Sequence, residues 1–336
     1  MPRWEDRFRT NSLNQLNNAR QENYNLRNGI VEEEIIQSEN CVSERSVSID
    51  FPHYPEYPTF AYETLISNLT NAPTVVLGKP KKKYKYIKPY NYVPDKFYFN
   101  CLKNNTDNLY LGVELEIDKG GKNDDVAKFI KDFLGKHSCY IKHDGSLENG
   151  MEIVTHPSTL DFHKSLSYKS LFEDLSKKGY KSHDTVTCGY HIHVNRNFFG
   201  ENPTTQDLNI TKILYLLEKH WDKVKIIARR DSNGYSKRFH MKENDSMFDL
   251  LVKAKGEYSS KYNMINLQHP NTIEFRMFKG TLKYETFIAT MEFVHNLVHL
   301  CKEIQLEDIQ NIDFKDILDI KPTEYLNTYI QERIKK

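Results

Sequence analysis

The sequence has few cysteines, no long apolar run and almost no net charge. Five cysteines are spread over 336 residues, at Cys41, Cys101, Cys139, Cys188 and Cys301, with no C-x-x-C pair among them. An odd, dispersed set argues against a disulfide framework and against a thiolate zinc site, and it suits a reducing compartment. No stretch approaches the roughly 18 apolar residues of a membrane span, and the opening MPRWEDRFRTN lacks an apolar h-region. A soluble, cytoplasmic chain with no membrane contact is expected. Lys and Arg total 47 against 46 Asp and Glu, so no global field draws the protein to nucleic acid or anionic lipid.

Composition divides the chain in three. Residues 1–50 are rich in Asn, Glu, Arg and Ser and too poor in apolar residues to bury a face, which predicts a disordered or partner-bound arm. Residues 51–96 turn to Pro, Tyr and Lys, in FPHYPEYP and KPKKKYKYIKPYNYVP, and read as a linker or wrapping segment, because repeated prolines remove ladder donors. The run KPKKKYKYIK could track phosphates and stack bases, but such runs are more often solvated linkers, and nucleic-acid binding is not expected. The arm is the element through which a protein partner or a second copy would dock. Residues 97–336 carry the globular pattern.

Within that part, hydrophobic period sets the elements. In 109–117, LYLGVELEI, the odd positions are apolar while Tyr110, Gly112, Glu114 and Glu116 share the other face. Helical spacing follows in DDVAKFIKDFLGK, then a turn in HDGSLENG, a short strand MEIVT and a helix over 161–178. VTCGYHIHVN, 186–195, alternates again and puts His191 and His193 on one side. A helix over about 205–228, strands YNMINL and NTIEFRMF, and a helix over 284–304 complete the pattern. The fold class is α+β: a mainly antiparallel sheet with helices packed on its apolar face.

Four strands thus place apolar residues on alternate positions and acids, histidines or arginine between them. If the polar sides form one face, Glu114, Glu116, Glu152, His191, His193, Glu274 and Arg276 converge. Four carboxylates in one cleft would repel and protonate unless cations neutralise them. Carboxylates with one imidazole suit Mg²⁺ or Mn²⁺ better than zinc. Glu114 and Glu116, with Cα atoms roughly 6.5 Å apart on a strand, are better placed to serve two neighbouring ions than to chelate one. Arg276 would then stabilise charge on a transferring phosphoryl group.

Blander readings exist for each signal. Glu114 and Glu116 alone would be solvent-facing residues of an amphipathic strand, and recurrence of the pattern at Glu152 and Glu274 reverses that. His295 and His299, in HNLVH, lack the glutamate of H-E-x-x-H and read as structural. Asp144-Gly145 is by default a turn. Arg229 and Arg230 end a helix, where cations complement the dipole anyway.

The motifs GVELE with Glu114 and Glu116, DGSL from Asp144, GMEIVT with Glu152, CGYHIHVN with His191 and His193, and TIEFR with Glu274 and Arg276 occur in one order over residues 109 to about 282. In that order they resemble the amidoligase family of phages, bacteria and fungi, within the glutamine synthetase-like carboxylate–amine ligase superfamily. The resemblance implies a curved sheet forming a partial barrel, ATP in its mouth, and metal ligands at Glu114, Glu116, Glu152, His191 and Glu274. It implies a nucleotide-phosphate contact at His193, a phosphate-binding role for Arg276, and further phosphate or substrate contacts at Arg229, Arg230 and Arg238. Lys261-Tyr262 stands where the family often has Arg-Tyr. The implied reaction joins a small-molecule or peptide carboxylate to an amine through an acyl phosphate, with Asp144 orienting or deprotonating the amine. Two alternatives use the same residues: a metal-dependent hydrolase, and a phage-like, virion-associated assembly protein that retains the ligase fold.

Overall fold

The computed structural model describes residues 84–95, 97–100, 109–185, 187–256, 261–321 and 323–334. The expected arm at 1–50 and most of the 51–96 segment lie outside the described residues.

Seven strands form one open sheet in the order β1-β3-β4-β2-β5-β7-β6. Their ranges are β1 Ile87–Lys88, β2 Leu111–Ile117, β3 Cys139–Lys142, β4 Met151–Thr155, β5 Gly189–Asn195, β6 Ile265–Asn266 and β7 Thr272–Lys279. β1 runs parallel to β3, and the other neighbours are antiparallel. The fold is therefore α+β with a mixed, mainly antiparallel sheet. The alternation in β2 does what it predicts: Leu111, Val113, Leu115 and Ile117 are buried in the core. Glu114 and Glu116 fall on the opposite face.

Among the described residues the helices are α1 Asp124–Leu134, α2 Leu160–Ser165, α3 Tyr168–Lys177, α4 Pro203–Lys219, α5 Trp221–Ala228, α6 Met247–Lys255, α7 Tyr284–Glu303, α8 Phe314–Asp319 and α9 Glu324–Ile334. Helix α7 is buried at every residue from Thr286 to Cys301, the pattern of a helix enclosed on all sides. Phe287 stacks on Tyr190 of β5 with ring centroids 4.7 Å apart, and the Tyr190 hydroxyl donates to the Phe287 carbonyl at 3.3 Å. These contacts fasten the dry face of the sheet to its central helix. No helix among the described residues is long and apolar enough to cross a membrane.

Several elements depart from the sequence reading. The helix expected over 161–178 is two, because Leu166 is extended at φ −77, ψ 147, and the neighbouring Ser165 hydroxyl turns back to the Phe162 carbonyl at 2.7 Å. The 205–228 helix starts at Pro203, capped by Asn202, and breaks at His220, whose Nε2 lies 3.0 Å from the Ile312 carbonyl. Within YNMINL only Ile265–Asn266 is paired as a strand. Strands β1 and β3 and helices α6, α8 and α9 have no counterpart in that reading.

Candidate active site

The polar face takes its geometry from strand register. Glu116 lies opposite Glu152 across β2 and β4, and Glu114 opposite His191 across β2 and β5. His193 pairs with Glu274 across β5 and β7, and Asn266 pairs with Glu274 from the other side. Two groups result, Glu114–His191–Glu274 and Glu116–Glu152–His191, each offering ligand atoms within 4.8 Å of one another. His191 belongs to both.

A bulge interrupts the ladder beside that shared histidine. Tyr190 pairs with Phe278 but Ile192 with Phe275, so Arg276 and Met277 together oppose His191. Bulges re-aim side chains and free backbone groups from the ladder. Here Arg230 takes up the freed carbonyls: Nε donates to Met277 O at 3.0 Å and Nη2 to Arg276 O at 2.6 Å. Opposite, Gly189 donates its N–H to Glu116, and a β-carbon at Gly189 would stand 2.6 Å from His191 Nε2. Glycine leaves the imidazole its place.

The acids are differently satisfied. Glu274 is surrounded: Oε1 accepts from Arg276, while Oε2 accepts from Asn266 Nδ2 at 2.7 Å and faces His269 Nε2 at 3.2 Å. Burial alone would raise its pKa, but the His269 hydrogen bond and the neighbouring His193 and His191 hold it low. Glu114 likewise resists the upward push of burial and stays well below the usual carboxylate range, held there by the neighbouring His193 and His191. Glu152 goes the other way, pushed well up by burial and by the negative Glu114, with Lys142 opposing. Glu116 is also raised by burial, against the pull of His191 and the Gly189 N–H. His191 Nδ1 is buried without a hydrogen-bond partner, 3.5 Å from Glu114 and 3.4 Å from Glu274. A buried imidazole nitrogen without a hydrogen bond, among four carboxylates of which Glu116 and Glu152 are pushed up by burial, is a donor set that fits a divalent cation.

A cavity of about 650 Å³ opens over this face, lined by Glu114, Glu116, Glu152, His191, Glu274, Arg276, Asp144 and Arg230 among others. Three expected site residues do not line it. His193 sits behind Glu114 and Glu274, with Nε2 3.5 Å and 4.0 Å from them and Nδ1 3.2 Å from Thr272 Oγ1. Arg229 adopts a left-handed backbone at the end of α5, φ 62, which turns its guanidinium onto Ile227 O, Thr290 Oγ1 and Lys279 O. Arg238 pairs with buried Glu218 at 2.7 Å and lies over the Trp221 ring.

The cavity also contains residues the sequence did not single out: Tyr90, Lys142, His143, Tyr235, Gln268 and His269. Lys142 had a signal, since C-Y-I-K alternates just before the DG turn. His269 had none, because it lies in the irregular loop QHPN.

Comparison with solved structures finds a bifunctional glutathione synthetase from Pasteurella multocida, 11% identical with a TM-score of 0.40, covering 68% of this chain and 47% of that one. It also finds the complex between the prokaryotic ubiquitin-like protein Pup and its ligase PafA, 11% identical with a TM-score of 0.29, covering 67% and 58%. The chain thus spans about half the length of each, and likenesses at this level carry no functional information. No curated protein matches the chain. The family described as "Putative amidoligase enzyme" matches residues 118–298, a span that includes Glu152, His191, Glu274 and Arg276 and leaves Glu114 and Glu116 just outside. As that match takes in more than half of the chain, the protein belongs to this amidoligase family.

Proposed function

We propose that the protein is an ATP-dependent carboxylate–amine ligase. The observation that carries this reading is the pair of acid–histidine groups sharing His191 on one sheet face, with Arg276 and Arg230 at their edge. Glu114, Glu116, Glu152, His191 and Glu274 would hold Mg²⁺ or Mn²⁺. Bound there, the cations would neutralise the carboxylates and screen the charge of the ATP phosphates.

The chemistry is two-step. An oxygen of the acid substrate attacks the γ-phosphorus, the bond to the β-phosphate oxygen breaks, and ADP and an acyl phosphate form. The amine then attacks the acyl carbon, inorganic phosphate departs and an amide remains. Arg276, fixed by Glu274 and by the bulge, stabilises charge on the phosphoryl oxygens. Arg230 reinforces it from the same edge while holding the bulge carbonyls. His193 keeps Glu114 and Glu274 ionised from behind. Asp144 takes the proton the amine loses, its Oδ1 being held by the Ser146 N–H and hydroxyl at 2.6 Å and 2.5 Å. The strands supply orientation, since Glu114, Glu116, Glu152, His191, Glu274 and Arg276 stand on strands whose other face packs into the core.

The test is phosphate release by the purified full chain with ATP, Mg²⁺ or Mn²⁺, and a library of carboxylic acids, amino acids, peptides and polyamines. The expected result is release that needs both an acid and an amine, with an amide product by mass spectrometry, and its loss in Glu116→Gln and Arg276→Ala. Amide cleavage without ATP would replace the ligase with a hydrolase on the same residues.

A further inference from the structure

At the opposite end of the cavity from Arg276, Lys142 presents an ammonium with no hydrogen-bonded acceptor among the described residues. It stands opposite Glu152 in the β3–β4 ladder, but its Nζ is 3.7 Å from Glu152 Oε2, beyond a hydrogen bond. A lysine serving only as counter-ion closes further, as Lys164 does on buried Glu292 at 2.7 Å. Lys142 lies instead under the ring of Tyr90, 5.4 Å from its centroid. Beside it, His143 Nδ1 is 2.6 Å from Lys122 Nζ. An ammonium only donates, so Nδ1 accepts and the ring proton sits on Nε2. Lys142, His143, Tyr90 and Ser146 all line the cavity. This end therefore offers a cation and an N–H donor against an aromatic wall.

Strand spacing separates it from the phosphoryl end. β3 lies two strands from β2 and four from β7, about 10 and 19 Å at about 4.8 Å per step. A group held by Lys142 is thus a different part of the ligand set from one held by Arg276. Tyr90 also lies outside the residues the family match covers. Its segment is fastened to the domain by Asp124, whose carboxylate accepts the backbone N–H groups of Lys85, Tyr86 and Ile87 at 3.0, 2.7 and 3.1 Å. The wall is thus held in place by contacts of this chain's own, beside the Lys142 end of the cavity.

We propose that Lys142 and His143, walled by Tyr90, receive a second carboxylate of the acid substrate, so that the site selects short dicarboxylic acids over monocarboxylic ones. The proposal rests on the ligase reading for its reaction but not for its binding test. The probes are succinate, glutarate and adipate, each against the monoacid of equal carbon number, titrated into the full chain by calorimetry with Mn²⁺ present.

At least one diacid is expected to bind tighter than its monoacid partner. Lys142→Met should weaken that diacid roughly tenfold or more, as loss of a charged hydrogen bond does, and Lys142→Arg should restore most of it. Tyr90→Ala should weaken the diacid without touching Glu152. Affinities for ATP and, by electron paramagnetic resonance, for Mn²⁺ should hold in all three variants. The proposal is overturned if no diacid outbinds its monoacid. It is also overturned if Lys142→Met weakens ATP instead, which would assign the end to a phosphate, or weakens Mn²⁺, which would reduce Lys142 to a support for Glu152. Selective diacid binding without ATP-dependent phosphate release would leave this inference standing and remove the ligase reading.

Discussion

Substituting Gly189 by alanine isolates the role of His191 without removing a single polar group. The added β-carbon would lie 2.6 Å from His191 Nε2, 3.2 Å from Cδ2 and 3.4 Å from Glu116 Oε2. Carbon and nitrogen in contact need roughly 3.5 Å, so the imidazole must move by about 1 Å. It has little room, being buried with Nδ1 between Glu114 and Glu274. Overpacking of this kind costs about 1–3 kcal/mol, which in a domain of this size lowers Tm by roughly 2–4 °C per kcal/mol. The fold should survive. A displacement near 1 Å at a reacting centre costs about 100-fold in rate, and the shared ligand should lose Mn²⁺ affinity as well. The matched control is Gly112→Ala on β2, whose β-carbon meets only His193 Cβ at 3.5 Å, an ordinary contact. Turnover and Mn²⁺ titration would be compared for both variants, with thermal melts alongside. Equal activity and equal Mn²⁺ affinity in the folded Gly189→Ala protein would refute the placement of His191 at the centre of the chemistry.

Three further outcomes are expected. Mn²⁺ at about 100 times its dissociation constant should stabilise the fold by about 2.7 kcal/mol, raising Tm by several degrees, and Glu274→Gln should sharply reduce that shift in a thermal melt. Arg230→Lys should lose both activity and about 1–3 kcal/mol in urea unfolding, since one ammonium cannot reproduce the two-pronged grip on the Arg276 and Met277 carbonyls. Burial lowers the pKa of His163, away from the cavity, from 6.5 to about 4. The unfolded chain therefore takes up this proton first, so the contribution is complete above about pH 6.5 and is lost as pH falls towards 4. At 1.36 kcal/mol per pKa unit the loss is at most about 3 kcal/mol. Urea midpoints of wild type and His163→Gln between pH 4 and 7 measure it, and an equally steep fall in both would contradict the assignment.

What the sequence disclosed and what it hid follow one physical division. Where a strand is locked on one face by the core, period 2 dictates the other face. Glu114, Glu116, Glu152, His191, Glu274 and Arg276 could thus be placed on one surface from alternation alone. The reading fails where backbone leaves that period. Met277 and Phe278 are consecutive and both buried, a break in the alternation that a period-2 reading passes over, and with the bulge there it misses the reason for Arg230. Arg229 and Arg230 are neighbours at one helix end, yet a left-handed residue sends the first to the scaffold and the second to the cavity, a choice that composition does not encode. β1 exists because the amides of Ile87 and of the two residues ahead of it find Asp124 and its strand finds β3, both long-range pairings without local sign. His269 reaches Glu274 from a loop with no period at all. The residues of the proposed chemistry stand mostly on strands, while Tyr90, His143, Tyr235 and His269 stand in irregular backbone. It follows that the strand-borne part of the proposed site is the part legible in the sequence. Under the proposal above, substrate choice would rest instead on irregular backbone, including the segment ahead of the family match that brings Tyr90 to the cavity wall.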